Sequence, residues 1–334
     1  MVTIRDVARA AGVSVATVSR VYNGNLQVKE DTRKRVREIA AEMGYTPHGG
    51  ARSLITRRTH AIGVLLPDLY GEFFSELIRG IDQAARARGY HVLVARAGHA
   101  GDDLLTAFRA MRGRVDGVIV MSPEFDQVSA TRGLPEGFPV VLLNSPRTDV
   151  GSAHFGIANF EGAHAMVRHL IQIGHTRIAI IKGAERNHDA AERLRGYQAA
   201  LVEAGIQLDG RLEIPGDFTE HGGYEAARAI LALAPRPTAV FASNDGMALG
   251  ALGGFRDAGL RVPGDIAIGG FDDIPMARYV DPPLTTVRVD ISTLGARAAA
   301  SLLEAANGNS SHAPHDETMP TTLVVRRSCG SSSS

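Results

Sequence analysis

Along the first 45 residues, apolar side chains recur with the spacing of short helices around a small core. Ile4, Val7, Ala8 and Ala11 fall on one face of a predicted helix that Thr3 can cap, with Asp6 three positions on as its capping-box partner. Gly12 stands where a chain leaving a helix adopts positive φ, and Ser14 can cap the next helix. That second helix buries Val18 and Val21 and leaves Val15, Ala16, Ser19 and Arg20 on its other side. A third helix, from about Asp31 to Met43, carries the stripe Val36, Ile39, Ala40 and Met43, with Glu30 and Asp31 favouring its N-terminus through the helix dipole. The Gly- and polar-rich run from Thr46 to His60 reads as a linker.

From Ala61 the rhythm changes. Ala61–Leu66, Tyr90–Ala95, Asp116–Met121 and Val140–Leu143 read as buried strands, with helices at Glu72–Arg88 and Asp102–Gly113 between them. The alternation resumes with strands Ile178–Ile181, Ala239–Ala242 and Ile266–Gly269. Helices near Phe160–Ile173, Ala191–Ala204, His221–Leu233 and Asp245–Ala258 separate these. Continuous apolar strands joined by helical crossovers predict parallel sheets covered on both faces. The predicted fold is an all-α helix-turn-helix head followed by an α/β core of two doubly wound, parallel-sheet lobes. A ligand cleft is expected between the lobes, at the carboxyl ends of their strands. The expected boundaries are 1–46 for the head and 47–60 for the hinge. Residues 61–157 with 289–326 form the first lobe, 158–288 the second, and 327–334 a disordered tail.

Composition sharpens this picture at three points. The chain of 334 residues balances 36 Lys+Arg against 36 Asp+Glu. Residues 1–60, however, hold 11 basic and 5 acidic side chains, so a basic head sits on an acidic body, as a polyanion-binding unit requires. The single cysteine, Cys329, excludes a disulfide framework and a cysteine metal cluster. No run approaches ~18 apolar residues and no signal segment opens the chain, so a cytoplasmic protein is expected. The short side chains at Val15 and Ala16 let the second helix approach base edges closely, and Arg20 can make a bidentate contact to guanine.

Over nearly its whole length the chain resembles the LacI/GalR (lactose and galactose repressor) family of bacterial regulators. The motifs that carry the resemblance are the helix-turn-helix block with Asn23-Gly24, then Ala51-Arg52-Ser53-Leu54, and Gly63-Val64-Leu65-Leu66-Pro67-Asp68 with Phe73-Phe74. Further along come Gly174-His175-Thr176-Arg177-Ile178-Ala179, Arg193-Leu194-Arg195-Gly196-Tyr197 and Ser243-Asn244-Asp245-Gly246-Met247-Ala248-Leu249-Gly250. Gly270-Phe271-Asp272-Asp273-Ile274-Pro275 and Pro283-Leu284-Thr285-Thr286-Val287 complete the series.

The resemblance implies a homodimer, or a tetramer, reading an inverted repeat with two recognition helices. Val15, Ala16 and Arg20 would face base edges, while Ser14, Thr17 and Ser19 would bond phosphates that position the helix. Thr3, Asn23 and Arg52 join them as DNA-contacting candidates, and Leu54 matches the leucine that wedges into the minor groove and bends the duplex. The hinge departs from the family at His48-Gly49-Gly50, where each Gly costs about 1 kcal/mol in a helix relative to Ala. Lys29 replaces the usual helix-capping Ser.

For the core, the resemblance implies a small-molecule effector, a sugar or sugar derivative, and neither cofactor nor metal. Arg193, Asn244 and Asp272 would hold it: a carboxylate accepts hydroxyl hydrogen bonds, a guanidinium donates a fork and an amide does both. Asp68, Tyr70 and Phe73 would form the opposite wall, Phe218 an apolar cover, and Asn144 stands at the position of a common pocket Asp. Gly71-Glu72 replaces the usual Asn-Pro before the Phe pair, and Ala158 an Asp beside Asn159. The charged loop Glu185–Asp189 is open to two readings, contact with a sugar acid or phosphate, or plain solvent exposure. An enzyme on this scaffold is disfavoured, because no dinucleotide fingerprint, phosphate-binding loop or nucleophile elbow occurs. A periplasmic receptor is disfavoured by the basic head. A regulator that senses a protein partner, or a non-sugar metabolite such as a nucleobase, stays open.

Overall fold

The computed structural model describes residues 2–22, 27–45, 58–98, 101–121, 137–145, 153–308 and 315–330. The chain divides into two compact units, residues 1–60 with 113–116, and the remainder. Asn23, the glycine pair of the hinge, Arg52 and Leu54 lie outside the described residues.

The first unit holds α1 (Ile4–Ala10), α2 (Val15–Tyr22) and α3 (Glu30–Glu42). Their predicted apolar faces meet in one core of Val7, Ala8, Ala11, Val18, Val21, Val36 and Ala40. Gly12 turns the chain at φ +62°, and Val13 N–H donates to the Ala8 carbonyl at 3.0 Å, closing α1 with a left-handed residue. Ser14 Oγ then accepts the Thr17 amide at 3.1 Å and caps α2. Helix α3 begins at Lys29 with no side-chain cap, and relies on Glu30 and Asp31 in its first turn.

The second unit is built on two six-stranded sheets with the same winding. The first has the order β11-β5-β4-β3-β1-β2. It comprises β1 (Ala61–Leu66), β2 (His91–Arg96), β3 (Val118–Met121), β4 (Val140–Leu143), β5 (Ala153–Ile157) and β11 (His315–Met319), all parallel. The second has the order β12-β10-β9-β8-β6-β7, from β6 (Ile178–Ile181), β7 (Glu213–Ile214), β8 (Ala239–Ala242), β9 (Ala267–Asp272), β10 (Thr285–Val289) and β12 (Thr321–Val324). Only β12 in it runs antiparallel, against β10. Strands β1, β3, β4, β6 and β8 are buried at every residue, which is why they read as unbroken apolar runs.

The covering helices are α4 (Glu72–Arg86), α5 (Gly101–Met111), α6 (Asn159–Gln172), α7 (His188–Glu203), α8 (Glu220–Leu231), α9 (Asp245–Asp257) and α10 (Ile291–Ala306). Helices α4 and α10 pack closely through glycine: a Cβ on Gly80 would lie 2.0 Å from the Ser292 carbonyl oxygen.

The chain crosses between the sheets three times, around Ala158, Asp290 and Pro320. Two of these crossovers are tied together, Ala158 N–H donating to Met319 O at 3.0 Å. The third corrects the expected boundaries, since 321–324 belongs to the second lobe, with Val324 opposite Thr286 and Thr321 opposite Val289. The expected disordered tail is corrected over residues 327–330, while 331–334 lie outside the described residues. Arg327–Cys329 forms a 3₁₀ turn in which Ser328 donates to Ile268 O at 2.6 Å and accepts from the Thr285 amide at 2.8 Å. Buried hydrogen bonds to two strands hold this segment, which its polar composition conceals. No helix is long and apolar enough to cross a membrane among the described residues.

Candidate DNA-reading surface and ligand cleft

On the head, the face of α2 opposite its buried Val18 and Val21 carries the predicted reading residues. Val15 is 41% exposed and Ala16 and Arg20 are exposed, with Thr17 and Ser19 at the margin. Ser14 and Thr17 serve the helix first: their hydroxyls lie 2.9 Å apart while Ser14 caps the Thr17 amide. Thr3 donates both its amide (3.0 Å) and its hydroxyl (2.6 Å) to Asp6. These bonds hold the Asp6 carboxyl below its usual value. The short caps fix the turn between α1 and α2, and the turn aims the exposed face of α2.

In the core, the cleft opens where the winding of each sheet reverses, between β1 and β3 in one and β6 and β8 in the other. That is the topological switch point at which open α/β sheets bind ligands. Its walls come from the strand ends: Pro67 and Asp68 after β1, Met121 at the end of β3, Ala184 after β6, Asn244 after β8 and Asp272 ending β9. The void, counting its open mouth and the solvent space within it, is about 1100 Å³. Of the predicted effector residues, Asp68, Tyr70, Phe73, Arg193, Phe218, Asn244 and Asp272 all line it. Phe73 and Phe74 meet edge to face at 5.5 Å; both line the cleft and both pack on the core.

Asn144 is corrected. It is only 2% exposed, sits at φ +41° after β4 and is absent from the cleft wall; neither of its amide atoms has a hydrogen-bond partner among the described residues. Asn244 lines the cleft but is occupied, its Oδ1 capping α9 through the Met247 amide and its Nδ2 donating to Phe218 O, both at 2.9 Å. It therefore holds Phe218, at φ +69° with its ring against Gly183, in the cleft wall.

Arg193 is the centre of the floor. It is 4% exposed, its guanidinium lies 3.8 Å from the Phe271 ring centroid, and Nη1 donates to the Ser243 carbonyl. Nε donates to Asn159 Oδ1 at 2.8 Å, and Asn159 Nδ2 donates to Asp189 at 2.9 Å. Asp272 Oδ1 forms an ion pair with Nη1 at 3.5 Å but accepts no hydrogen bond. Burial raises the carboxyls of both Asp189 and Asp272, against the pull of Arg193, and Asp272 is pushed up to about 7.

Asp272 and Asp273 both lie at positive φ, +116° and +55°, a conformation held by their surroundings. Asp273 is gripped by Arg288 Nε at 2.6 Å and by Arg326, while Asp245 accepts from Thr286 Oγ1 (2.6 Å) and from the Ile274 amide (3.0 Å).

Sequence reasoning missed Asn159 and Glu72 as site residues, and named Asp189 only as the end of the charged loop Glu185–Asp189. The signal for Asp189 was present, since it precedes Arg193 by four residues on α7 and so shares its face. Glu72 shows no such signal, because its partner lies on the other lobe: Glu72 Oε2 accepts the Met276 amide at 2.8 Å.

A helical head shaped for the major groove, with a two-lobed core whose cleft lies at its strand ends, defines a ligand-controlled DNA-binding regulator. Residues 3–48 match the bacterial regulatory proteins of the lacI family, and residues 167–329 a periplasmic binding protein-like domain. Catabolite control protein A of Priestia megaterium is 38% identical over 299 residues, covering 89% of this chain and 90% of that protein. The lac repressor dimer bound to operator and the anti-inducer ONPF superposes with a TM-score of 0.85 at 30% identity, over 98% of this chain and 99% of that one. The complex of the transcriptional regulator CelR with cellobiose gives 0.74 at 33% identity, over 98% and 100%. The chain belongs to the lacI family of bacterial regulatory proteins.

Proposed function

We propose that this protein is a cytoplasmic, sequence-specific transcription repressor without catalytic activity, controlled by a carbohydrate-class effector that needs no cofactor. It binds a palindromic operator as a homodimer, through α2 of each protomer, and takes its effector in the cleft between the lobes of the core. The observation that carries this reading is the cleft floor. Arg193 is stacked on Phe271 and fixed by Asn159 and Ser243, and it sits beside Asp272, which has an oxygen with no hydrogen bond. An aromatic-backed guanidinium beside a carboxylate at strand ends offers the donors and acceptors that a polyhydroxylated molecule uses. The operator-bound and cellobiose-bound relatives support the two halves of the reading.

The ligand acts only through its different affinities for the DNA-bound and free forms, so binding and release are one coupled equilibrium. Two measurements test it. Selection from a random DNA pool should return an inverted repeat that binds the wild type more tightly than Arg20→Ala. A neutral or amino-sugar panel should contain a compound that raises Tm, by about 2.7 kcal/mol of stabilisation at a hundredfold excess over Kd, and Asp272→Ala should abolish the response. A non-palindromic selection product, or a response unchanged in Asp272→Ala, would overturn it.

A further inference from the structure

We propose that Asp116 is a positioning residue for operator binding: its carboxylate clamps the root of the linker, Thr59 and His60, where the chain enters the first sheet. The proposal rests on the reading of the protein as a dimer on an inverted repeat. It adds a residue that lies outside both the reading face of α2 and the cleft wall.

Three hydrogen bonds converge on this side chain. Oδ1 accepts the Thr59 amide at 2.7 Å and the Thr59 hydroxyl at 2.8 Å, and Oδ2 accepts the His60 amide at 3.0 Å. Bonds to a charged acceptor are the strong class, and these reach 56 and 57 positions along the chain, so no local turn or cap accounts for them. His60 stands at φ +52°, a conformation that a non-glycine residue keeps only where its surroundings impose it. The bond from its amide to Asp116, one residue before β1 begins at Ala61, supplies such a constraint. Asp116 is itself on a firm base. Val115 before it is buried, and Gly117 after it packs so closely that a Cβ would lie 2.9 Å from Leu302 and 3.1 Å from Pro139. Gly63 of β1 donates its amide to the Gly117 carbonyl at 2.9 Å, so the lead-in to β3 is bonded to β1 immediately after the clamp.

Asp116 belongs to the same compact unit as residues 1–60, whose surplus of charge is basic. A negative charge there opposes attraction to phosphate, so what this side chain contributes to DNA binding is geometry. Two heads of a dimer gain on an inverted repeat only by engaging together. The advantage of the second engagement is an effective concentration set by the reach and stiffness of its linker. Fixing Thr59 and His60 in the free protein removes ordering entropy that binding would otherwise have to supply. Contact of a single head with a single half-site does not draw on that advantage.

The test uses the full-length protein and two duplexes made from the inverted repeat that selection returns: the repeat itself, and one half-site in scrambled flanking sequence. Fluorescence anisotropy at low salt gives both affinities. Asp116→Ala is expected to lower affinity for the repeat about tenfold, the cost of ordering about one backbone residue anew, and to leave the half-site no weaker. Loss of a carboxylate ordinarily strengthens binding to DNA, and misfolding weakens both duplexes, so a fall confined to the repeat marks a positioning role. Thr59→Val keeps the carboxylate and loses one bond; it should fall about threefold on the repeat, while Thr59→Ser binds as the wild type does. If Asp116→Ala fails to fold, the Thr59 pair decides. In the folded variants, equal losses on the two duplexes, or no loss on the repeat, overturn the proposal alone. A selection that returns no inverted repeat overturns the dimeric reading and the proposal with it.

Discussion

Glu72 and Met276 stand 204 positions apart in the chain and share a hydrogen bond of 2.8 Å across the mouth of the cleft. Glu72 opens α4 in the first lobe, and Met276 belongs to the 3₁₀ turn Pro275–Arg278 in the second. Proline at the start of that turn has no N–H, so the Met276 amide is the first donor the turn must satisfy. A carboxylate from the opposite lobe satisfies it. Helix capping and lobe closure are here the same bond.

Removing this bond is expected to loosen the closed core. Glu72→Ala should weaken effector binding about fivefold, the equivalent of ~1 kcal/mol for one solvent-exposed hydrogen bond to a charged group. Glu72→Gln keeps an acceptor and should fall between. Distances between spin labels on the two lobes should broaden in the ligand-free Ala variant; an unchanged distribution would show that the bond does not hold the lobes.

Arg193 is expected to matter for stability as much as for ligand. Arg193→Met leaves Asp189 and Asp272 buried without their cation, a loss of about 3–5 kcal/mol. In a unit of this size that lowers Tm by roughly 10 °C. Combining it with Asp272→Asn should recover part of the loss, because the uncompensated charge goes with the carboxylate. Strict additivity of the two changes in thermal melts would disprove the coupling.

Stability should fall with rising pH on account of Asp272. Its carboxyl is pushed from 3.8 up to about 7 by burial, with Asp189 adding and Arg193 opposing. The folded state therefore holds the proton more tightly than the unfolded chain. The contribution is fully present below 3.8 and is lost as pH climbs through about 7. Asp189 and the neighbouring buried Asp245 shift in the same direction. Urea titrations at pH 5 and pH 8 should show the wild type losing more stability over this window than Asp272→Asn.

The head offers a separate test of geometry against chemistry. Ser14→Ala removes the cap of α2 at a cost of about 1 kcal/mol, and hydrogen exchange of the first α2 amides should accelerate about fivefold. Arg20→Ala leaves the helix intact, because Arg20 is exposed. It should weaken operator binding by about 1–3 kcal/mol and relax specificity at one base pair. Uniform weakening across all sequences would instead mark Arg20 as a phosphate contact.

Legibility followed the range of the interaction. The caps of α1 and α2, the turn at Gly12 and the stripe of α3 are contacts within a few residues, and the sequence shows them directly. The buried parallel strands were readable for a related reason: burial on both faces forces an unbroken apolar run. Strand β5 escaped, because Ala153–Ile157 alternates buried and half-buried positions through His154 and Gly156. Strands β11 and β12 escaped because edge strands need little apolar sequence, and so did α10, whose partner α4 lies some 200 residues earlier.

In the cleft, Arg193, Asn244 and Asp272 could be named from their motifs, but what each does could not. The sequence alone determined the helical head, the doubly wound core and the residue types at the strand ends, because periodicity and capping are local. Only the tertiary structure decided that Asn244 is spent on a helix cap, that Asn144 stays out of the cleft and that Glu72 bridges the lobes. It also showed that two buried carboxylates lie by one guanidinium, Asp272 as its ion pair and Asp189 through Asn159. Those outcomes depend on burial and on which distant groups face one another, and charge compensation at a buried cleft floor is a sum over side chains that only folding brings together.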